Sequence, residues 1–311
     1  MSRPTLWVLV GLSGSGKSTT AAKLAAEYPN TVIVSSDAIR EELTGSVEDQ
    51  SKNEEVFKIF HNRIRKNLEN KKNVIADATN LTMKSRRAIL LKVNGLDIRK
   101  VCIIIPKPFE QCIEDNLHRE HPVPEEVLDK QIRKFQIPFY EENWDEIKIL
   151  SCDEWNKIKL SNLEFFIAMY DFEQRNFHHT MTLDKHCINT YKLFCKKRYS
   201  KSLFPPEYSD GYAMGAKLHD IGKLSTQSFD DEGVAHYFSH AEIGSYIILS
   251  QMKMPELTWN EKTLLDCCFL INYHMMPFNW TTEKAKQRWR ERFGEYKYQM
   301  LLDFHECDIA R

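Results

Sequence analysis

One short stretch constrains this chain more than any other. Gly11-Leu12-Ser13-Gly14-Ser15-Gly16-Lys17-Ser18-Thr19 follows the apolar run Leu6–Val10 and opens into Thr20–Glu27, a segment rich in helix formers. Strand, glycine loop and helix in that order make a phosphate cradle. Gly11, Gly16, Lys17 and Ser18 fit G-x-x-x-x-G-K-[ST], in which small residues let successive backbone N–H groups wrap phosphate oxygens at a helix N-terminus. The cofactor-binding set is therefore Gly11, Ser13, Gly14, Ser15, Gly16, Lys17, Ser18 and Thr19, and its ligand is ATP or another nucleoside triphosphate. Lys17 reaches the β- and γ-phosphates, and Ser18 holds Mg²⁺.

The residues that follow alternate strand and helix patterns. Thr31–Ser36, Asn73–Asp77, Val101–Ile105 and Ile147–Leu150 read as buried strands; a helix starting near Asp37, capped by Ser36 or Asp37, and segments Glu54–Lys71, Met83–Val93, Phe109–Leu117 and Pro124–Phe135 read as helices. This alternation predicts an α/β fold, a parallel sheet with helices on both faces, whose ligands lie at the carboxyl ends of the strands. Two acidic positions sit at such ends, each followed by arginine. Asp37 ends the second strand, with Arg40 one helical turn on along the same face. Asp77 ends the third, with Arg86 and Arg87 a helix later. An acid beside a γ-phosphate can take the proton of an attacking hydroxyl, and an arginine there can hold an anionic group of the acceptor. A cap and a solvated charge are the ordinary alternatives for these residues.

At 311 residues the chain suits two domains, read here as 1–152 and 153–311. No glycine- or serine-rich linker separates them, and the second half reads as all-helical, beginning with an aromatic-rich segment over Glu154–Gln174. The formal charge of −1 gives no bulk drive toward nucleic acid but leaves room for a local basic groove. The basic, aromatic-interleaved run Lys284–Arg292 reads first as a solvated helix face and second as a nucleic-acid edge. Eight cysteines with no C-x-x-C pair suit reduced thiols. The chain reaches its first strand without a signal-peptide core, and no apolar run approaches the ~20 residues of a membrane helix. A cytoplasmic protein with no membrane partner is the expectation.

Eight of the eleven histidines lie beyond residue 174. His186 opens a helical run; His219 and Asp220 adjoin in Leu218-His219-Asp220-Ile221-Gly222-Lys223; His240, His274 and Asp308 follow on later segments. Imidazoles and carboxylates from separate helices, converging on one point, are how a helical bundle builds a divalent-metal site. The nitrogen and oxygen donor set suits Mn²⁺, Fe²⁺, Ni²⁺, Co²⁺ or Mg²⁺ better than structural zinc. His236 and His305 read as ordinary histidines.

Two resemblances sharpen these readings. The glycine loop, then Ser36-Asp37-x-x-Arg40, then Asp77-Ala78-Thr79-Asn80-Leu81 with Arg86-Arg87, resembles the kinase module of phage and bacterial polynucleotide 5′-kinases, from about Leu6 to Phe135. The resemblance implies that Asp37 is the general base on a 5′-hydroxyl, that Arg40 contacts the acceptor's phosphate, that Asp77 belongs to the active site, and that Arg119 is a lid arginine over the donor phosphates. A second lid arginine of that family falls on Asp115, which leaves Arg133 or Lys134 to substitute. From about Phe177 onward the ordered set His, His-Asp, Asp resembles the HD-domain metal phosphohydrolases. That resemblance implies a first metal on His186, His219, Asp220 and Asp308, with His240 and His274 as ligands of a second, or His240 as a donor to the phosphate. It also implies that Lys223 contacts the substrate phosphate, while the one or two metals clamp that phosphate and activate water.

Joined, the two modules imply a bifunctional end-healing enzyme. It would phosphorylate 5′-hydroxyl ends of RNA or DNA, hydrolyse 3′-phosphate or 2′,3′-cyclic phosphate ends, and work alongside a ligase. Two other classes fit the same glycine loop. One is a kinase of a nucleoside, a modified base or another small hydroxyl compound, with a nucleotide-hydrolysing second domain. The other is a non-catalytic module that senses ATP and regulates the hydrolase.

Overall fold

The computed structural model describes residues 3–150, 155, 159–176, 181–200, 210–253 and 260–310. The expected boundary at 152/153 and Cys152 lie outside the described residues. Two compact units emerge, one of residues 1–131 and 142–151, the other of residues 132–141 and 152–311.

The first unit runs β1 (Thr5–Val10), α1 (Lys17–Glu27), β2 (Thr31–Ser35), α2 (Ser36–Thr44), α3 (Asn53–Glu69), β3 (Asn73–Asp77), α4 (Met83–Lys92), β4 (Arg99–Ile104), α5 (Phe109–Leu117), α6 (Glu125–Ile132) and β5 (Glu146–Ile149). The five strands form one sheet in the order β2-β3-β1-β4-β5. All four pairings are parallel, with Trp7 opposite Ile75 on one side and Val101 on the other. Leu6 to Val10 are buried throughout, so β1 is covered on both faces, as the unbroken apolar run requires of a central parallel strand. Each aliphatic side chain so placed contributes about 1.5–3 kcal/mol. Two expectations shift at helix starts. Helix α1 begins at Lys17 rather than Thr20, which brings Lys17 and Ser18 into its first turn. Helix α2 is capped by Ser35, whose hydroxyl accepts from the Ala38 amide, so Asp37 is not spent as a cap.

A buried ion pair locks the turn after β3. Arg86 is fully buried and makes a two-point contact with Glu142 at 2.8 and 2.5 Å, while its Nη1 donates to the carbonyls of Asn80 and Leu81. Asn80 in turn donates to the Leu9 carbonyl, and the Gly11 amide donates to the Thr79 carbonyl. The glycine loop is thereby tied to the end of β3.

The second unit contains α7 (Asn162–Met169), α8 (Leu183–Ser200), α9 (Asp210–Leu218), α10 (Lys223–Thr226), β6 (Ser228–Phe229), β7 (Ala235–His236), α11 (His240–Gln251), α12 (Glu261–Tyr273) and α13 (Glu283–Asp308). The described residues of this unit are mainly helical; against expectation, β6 and β7 pair antiparallel, Ser228 opposite His236. Asp230 makes the turn, its Oδ1 accepting from the Glu232 and Val234 amides, with Gly233 in the left-handed region. Of the aromatic segment Glu154–Gln174, residues 154 and 156–158 lie outside the described residues; Asn162–Met169 is helical, opened by a capping box between Ser161 and Glu164. Residues 132–141 also pack in this unit. Asn272 bonds the Ile137 amide and the Phe135 carbonyl, and Phe139 stacks edge-on against Phe269. The basic run on α13 is bound up locally, Lys286 with Glu283, Arg290 with Glu295, and Arg292 over the Trp289 ring.

Candidate functional site

In the first unit the site is the loop between β1 and α1. Gly14 and Gly16 have φ of 78° and 91°, and a Cβ on Gly14 would lie 2.2 Å from the Cys112 carbonyl oxygen, so the loop's path excludes a side chain there. The Ser15 hydroxyl is buried with no hydrogen-bond partner, and Lys17 Nζ donates back to the Leu12 carbonyl at 2.7 Å. A loop whose cation is spent on its own backbone and whose buried hydroxyl lacks a partner fits a polyoxyanion. Burial pulls the Lys17 pKa down to about 8 against the attraction of Asp77. Burial also raises the Asp77 carboxyl, opposed by Lys17 and by the Ser18 hydroxyl, which donates to Asp77 Oδ2 at 3.0 Å.

Asp37 and Arg40 form an ion pair at 2.7 Å, Arg40 Nη1 on Asp37 Oδ1. The side chain of Asp37 is 57% exposed and that of Arg40 only 7%. Arg40 Nη2 donates to Asn53, while its Nε is buried without a partner. Asp37 acts electrostatically on both Lys17 and Asp77, and so does the exposed Arg119 just past α5. Lys17, Ser18, Asp37, Arg40, Asp77 and Arg119 therefore share one end of the sheet.

Several neighbours carried no sequence signal. Gln131 grips the loop, accepting from the Ser13 amide at 2.8 Å and donating to its hydroxyl at 3.0 Å. Asn116 pins the segment after α5 by exchanging two hydrogen bonds with Val123. Lys107 reaches the Gly14 carbonyl and pairs with Asp115, the position where a lid arginine was expected. The two proposed substitutes, Arg133 and Lys134, both lie in the second unit, where Arg133 donates to the Phe238 carbonyl.

In the second unit, six side chains from five elements converge. His186 Nε2 and His219 Nε2 lie 3.3 Å apart, and each is 3.1 Å from Asp308 Oδ1. His240 Nε2 and His274 Nε2 lie 3.2 Å apart, at 3.2 and 3.6 Å from Asp220 Oδ1. The other oxygen, Asp220 Oδ2, faces His186 and His219 at 3.5 and 3.3 Å. Asp220 thus stands between two groups, His186–His219–Asp308 and His240–His274. Among the described residues these are two of three clusters with metal-binding spacing. The third is Cys187, His219 and Asp220, with the Cys187 thiol buried.

The tautomers decide what such a cluster can hold. His219, His240 and His274 direct Nδ1 at the carbonyls of Ala216, Tyr237 and Ile271, at 3.0, 2.8 and 2.7 Å. A carbonyl only accepts, so each Nδ1 carries a proton, and in the neutral ring Nε2 turns a lone pair inward. The Nε2 atoms of His240 and His274, 3.2 Å apart beside a carboxylate, oppose two acceptors when both rings are neutral, an arrangement that a cation relieves. Burial pushes His274 toward the neutral form. His219 behaves differently: burial disfavours its charge, yet Cys187, Asp220 and Asp308 outweigh that and raise it. Burial likewise opposes ionisation of Asp220, but Lys223 and His219 hold it well below the usual carboxylate range. A cation entering here would replace the proton on His219. Gly222 makes the convergence possible, since a Cβ there would lie 2.0 Å from the His240 carbonyl oxygen. Lys223 is buried, donating to Asp220 Oδ2 and to Gln174, both at 2.7 Å, beneath the Tyr237 ring.

Residues 6–138 match the family model described as an AAA domain. The chain is 29% identical over 162 residues to the L-seryl-tRNA(Sec) kinase of Methanococcus maripaludis, an alignment covering 51% of this chain and 62% of that one. It therefore spans about three fifths of that relative's length. Solved structures with which it shares similarity include a chain of the Pnkp1/Rnl/Hen1 RNA repair complex (24% identity, TM-score 0.39, 43% of this chain and 44% of that one). A fungal RNA kinase follows at 15% identity and TM-score 0.37, covering 49% and 39% of the two chains. A gluconokinase from Sinorhizobium meliloti 1021 aligns at 21% identity and TM-score 0.33, covering 48% and 83%. Among the described residues no helix is long and apolar enough to cross a membrane, and all the described cysteines are free.

Proposed function

We propose that the chain is a bifunctional enzyme that heals nucleic-acid ends, adding phosphate to a 5′-hydroxyl and removing it from a 3′-phosphate or 2′,3′-cyclic phosphate. The observation that supports this reading is the presence, in one chain, of two constellations: the glycine loop with Asp37, and the histidine–aspartate cluster with metal-binding spacing around Asp220.

In the first unit the loop amides and Lys17 hold the triphosphate of ATP. Ser18, already bonded to Asp77, would hold the Mg²⁺ that neutralises its charge. Arg40 occupies Asp37 Oδ1 and leaves Oδ2 to accept the proton of the 5′-hydroxyl as that oxygen attacks the γ-phosphorus in line. The bond to the β–γ bridging oxygen breaks, and ADP departs. The unpartnered Nε of Arg40 suits the acceptor's phosphate, while Arg119 and Lys107 add positive charge at the donor.

In the second unit His186, His219 and Asp308 would hold one divalent metal, and His240 and His274 a second, with Asp220 shared. Such a pair clamps a phosphate and lowers the pKa of a water. The chain's own residues orient the reaction: backbone carbonyls hold the imidazole tautomers, and Lys223, braced by Gln174, steadies Asp220 and meets a phosphate oxygen of the substrate. The resulting 5′-phosphate and 3′-hydroxyl ends are those a ligase partner would consume, and a cytoplasmic setting fits.

The test of the kinase half is transfer of labelled γ-phosphate from ATP to an oligonucleotide with a 5′-hydroxyl. The similarity to an L-seryl-tRNA(Sec) kinase favours a second reading, a kinase of a small hydroxyl group. Label appearing on small hydroxyl compounds and never on the oligonucleotide would select it. ATP binding without transfer to either would select the sensor reading.

A further inference from the structure

The hairpin between Lys223 and His240 contains aromatic surface that neither site uses. Phe238 is 70% exposed and Phe229 50%. The Phe238 ring is stacked with the His236 imidazole, centroids 5.6 Å apart and planes within 5°. His236 is itself anchored, its Nε2 2.9 Å from Asp230 Oδ2, and the same aspartate closes the hairpin turn. Scattered exposed apolar residues are ordinary on protein surfaces; a ring stacked on an anchored imidazole is less so.

Its position supplies the argument. Phe238 lies two residues before His240, and Tyr237 between the stacked pair turns the other way. The Tyr237 carbonyl accepts from His240 Nδ1 at 2.8 Å, its hydroxyl donates to the Gln174 carbonyl, and its ring covers Lys223. Ser239 takes a left-handed backbone, φ 63°, which lets successive side chains face outward and then into the cluster. The exposed ring and the phosphate-handling residues are thus two consequences of one short turn.

We propose that Phe238, backed by His236, is a stacking platform for the nucleobase attached to the phosphate that the cluster handles. This rests on the reading of that cluster as a phosphohydrolase site. A planar base meets the ring face to face, and since every base has such a face, the platform selects nucleotides over base-free phosphates without reading sequence.

Phe238→Trp places a reporter there, read as the difference from wild-type fluorescence without added metal. Adenosine 3′-monophosphate and an oligonucleotide ending in 3′-phosphate are each titrated, with ribose 5-phosphate as the base-free control. The expected result is quenching by one or both base-bearing ligands and none by the control; quenching by the mononucleotide alone identifies a free nucleotide as the occupant, and by the oligonucleotide a strand end. Equal response to the control, or no response to any ligand, overturns the platform. With metal present, Phe238→Ala raises KM for the 3′-phosphate oligonucleotide roughly 5- to 100-fold at unchanged kcat, and Phe238→Trp restores it. An unchanged KM also overturns the proposal. Quenching in a protein that hydrolyses nothing leaves the platform standing and removes the phosphohydrolase reading instead.

Discussion

The two regions proposed to handle phosphate are made of different material. The glycine loop uses backbone amides from consecutive residues, held in shape by left-handed glycines and by ties to β3 and α6. The histidine cluster uses side chains alone, brought from five elements spread over more than a hundred residues and oriented by backbone carbonyls. A backbone site tolerates change in most side chains near it but not in its path. A side-chain site fails when any one member is lost, and its path is free.

That contrast yields graded outcomes. The largest effect belongs to Asp220, which both metal positions share: Asp220→Ala lowers 3′-end hydrolysis by at least about 10³-fold and abolishes Mn²⁺ uptake measured by elemental analysis, with 5′ transfer intact. Retained hydrolysis would show that the shared carboxylate is not the hub. Next is Arg86→Ala, which strands the buried Glu142 and costs about 3–5 kcal/mol of first-unit stability, read as a lowered denaturant midpoint with the histidine cluster's metal binding unchanged. His274→Ala should reduce bound metal from two ions per chain to one, because the His186–His219–Asp308 group survives it; two ions retained would refute the second position.

A smaller effect follows from pH. Lys17 in the free protein titrates near 8, and a bound triphosphate requires its cation. ATP binding therefore takes up a proton and weakens as pH rises through 8, by about tenfold per unit above it. Calorimetry in EDTA, in buffers of different ionisation heat, checks this; proton release on binding would reverse the assignment. Smallest is Lys107→Ala, a several-fold loss of phosphoryl transfer in steady-state kinetics, since Arg119 remains.

The contrast also explains what could be read from the sequence. The glycine loop and its flanking strand and helix were legible because they are contiguous, and the sheet followed from apolar runs bounded by turn residues. Asp37 and Arg40 could be paired from their i,i+3 spacing, which the ion pair at 2.7 Å matches. The histidines could be named as candidates, but which nitrogen faces inward depends on carbonyls that no spacing reveals. Lys107, Asn116 and Gln131 escaped notice because their partners lie across the fold or in irregular loops. The β6–β7 hairpin escaped because its strands are two residues each, too short for alternation to register, although Asp230-Asp231-Glu232-Gly233 is a turn signal. Residues 132–141 read as a continuation of the first unit by order in the chain; their contacts with α12 are long-range packing.

The most direct test of two independent centres is a product assay on one RNA oligonucleotide that carries both a 5′-hydroxyl and a 2′,3′-cyclic phosphate, with ATP, Mg²⁺ and Mn²⁺. The account predicts that wild type converts both ends, that Lys17→Ala converts only the 3′ end, and that Asp220→Ala converts only the 5′ end. Loss of both conversions in either variant, or a wild type that leaves both ends unchanged, would contradict it.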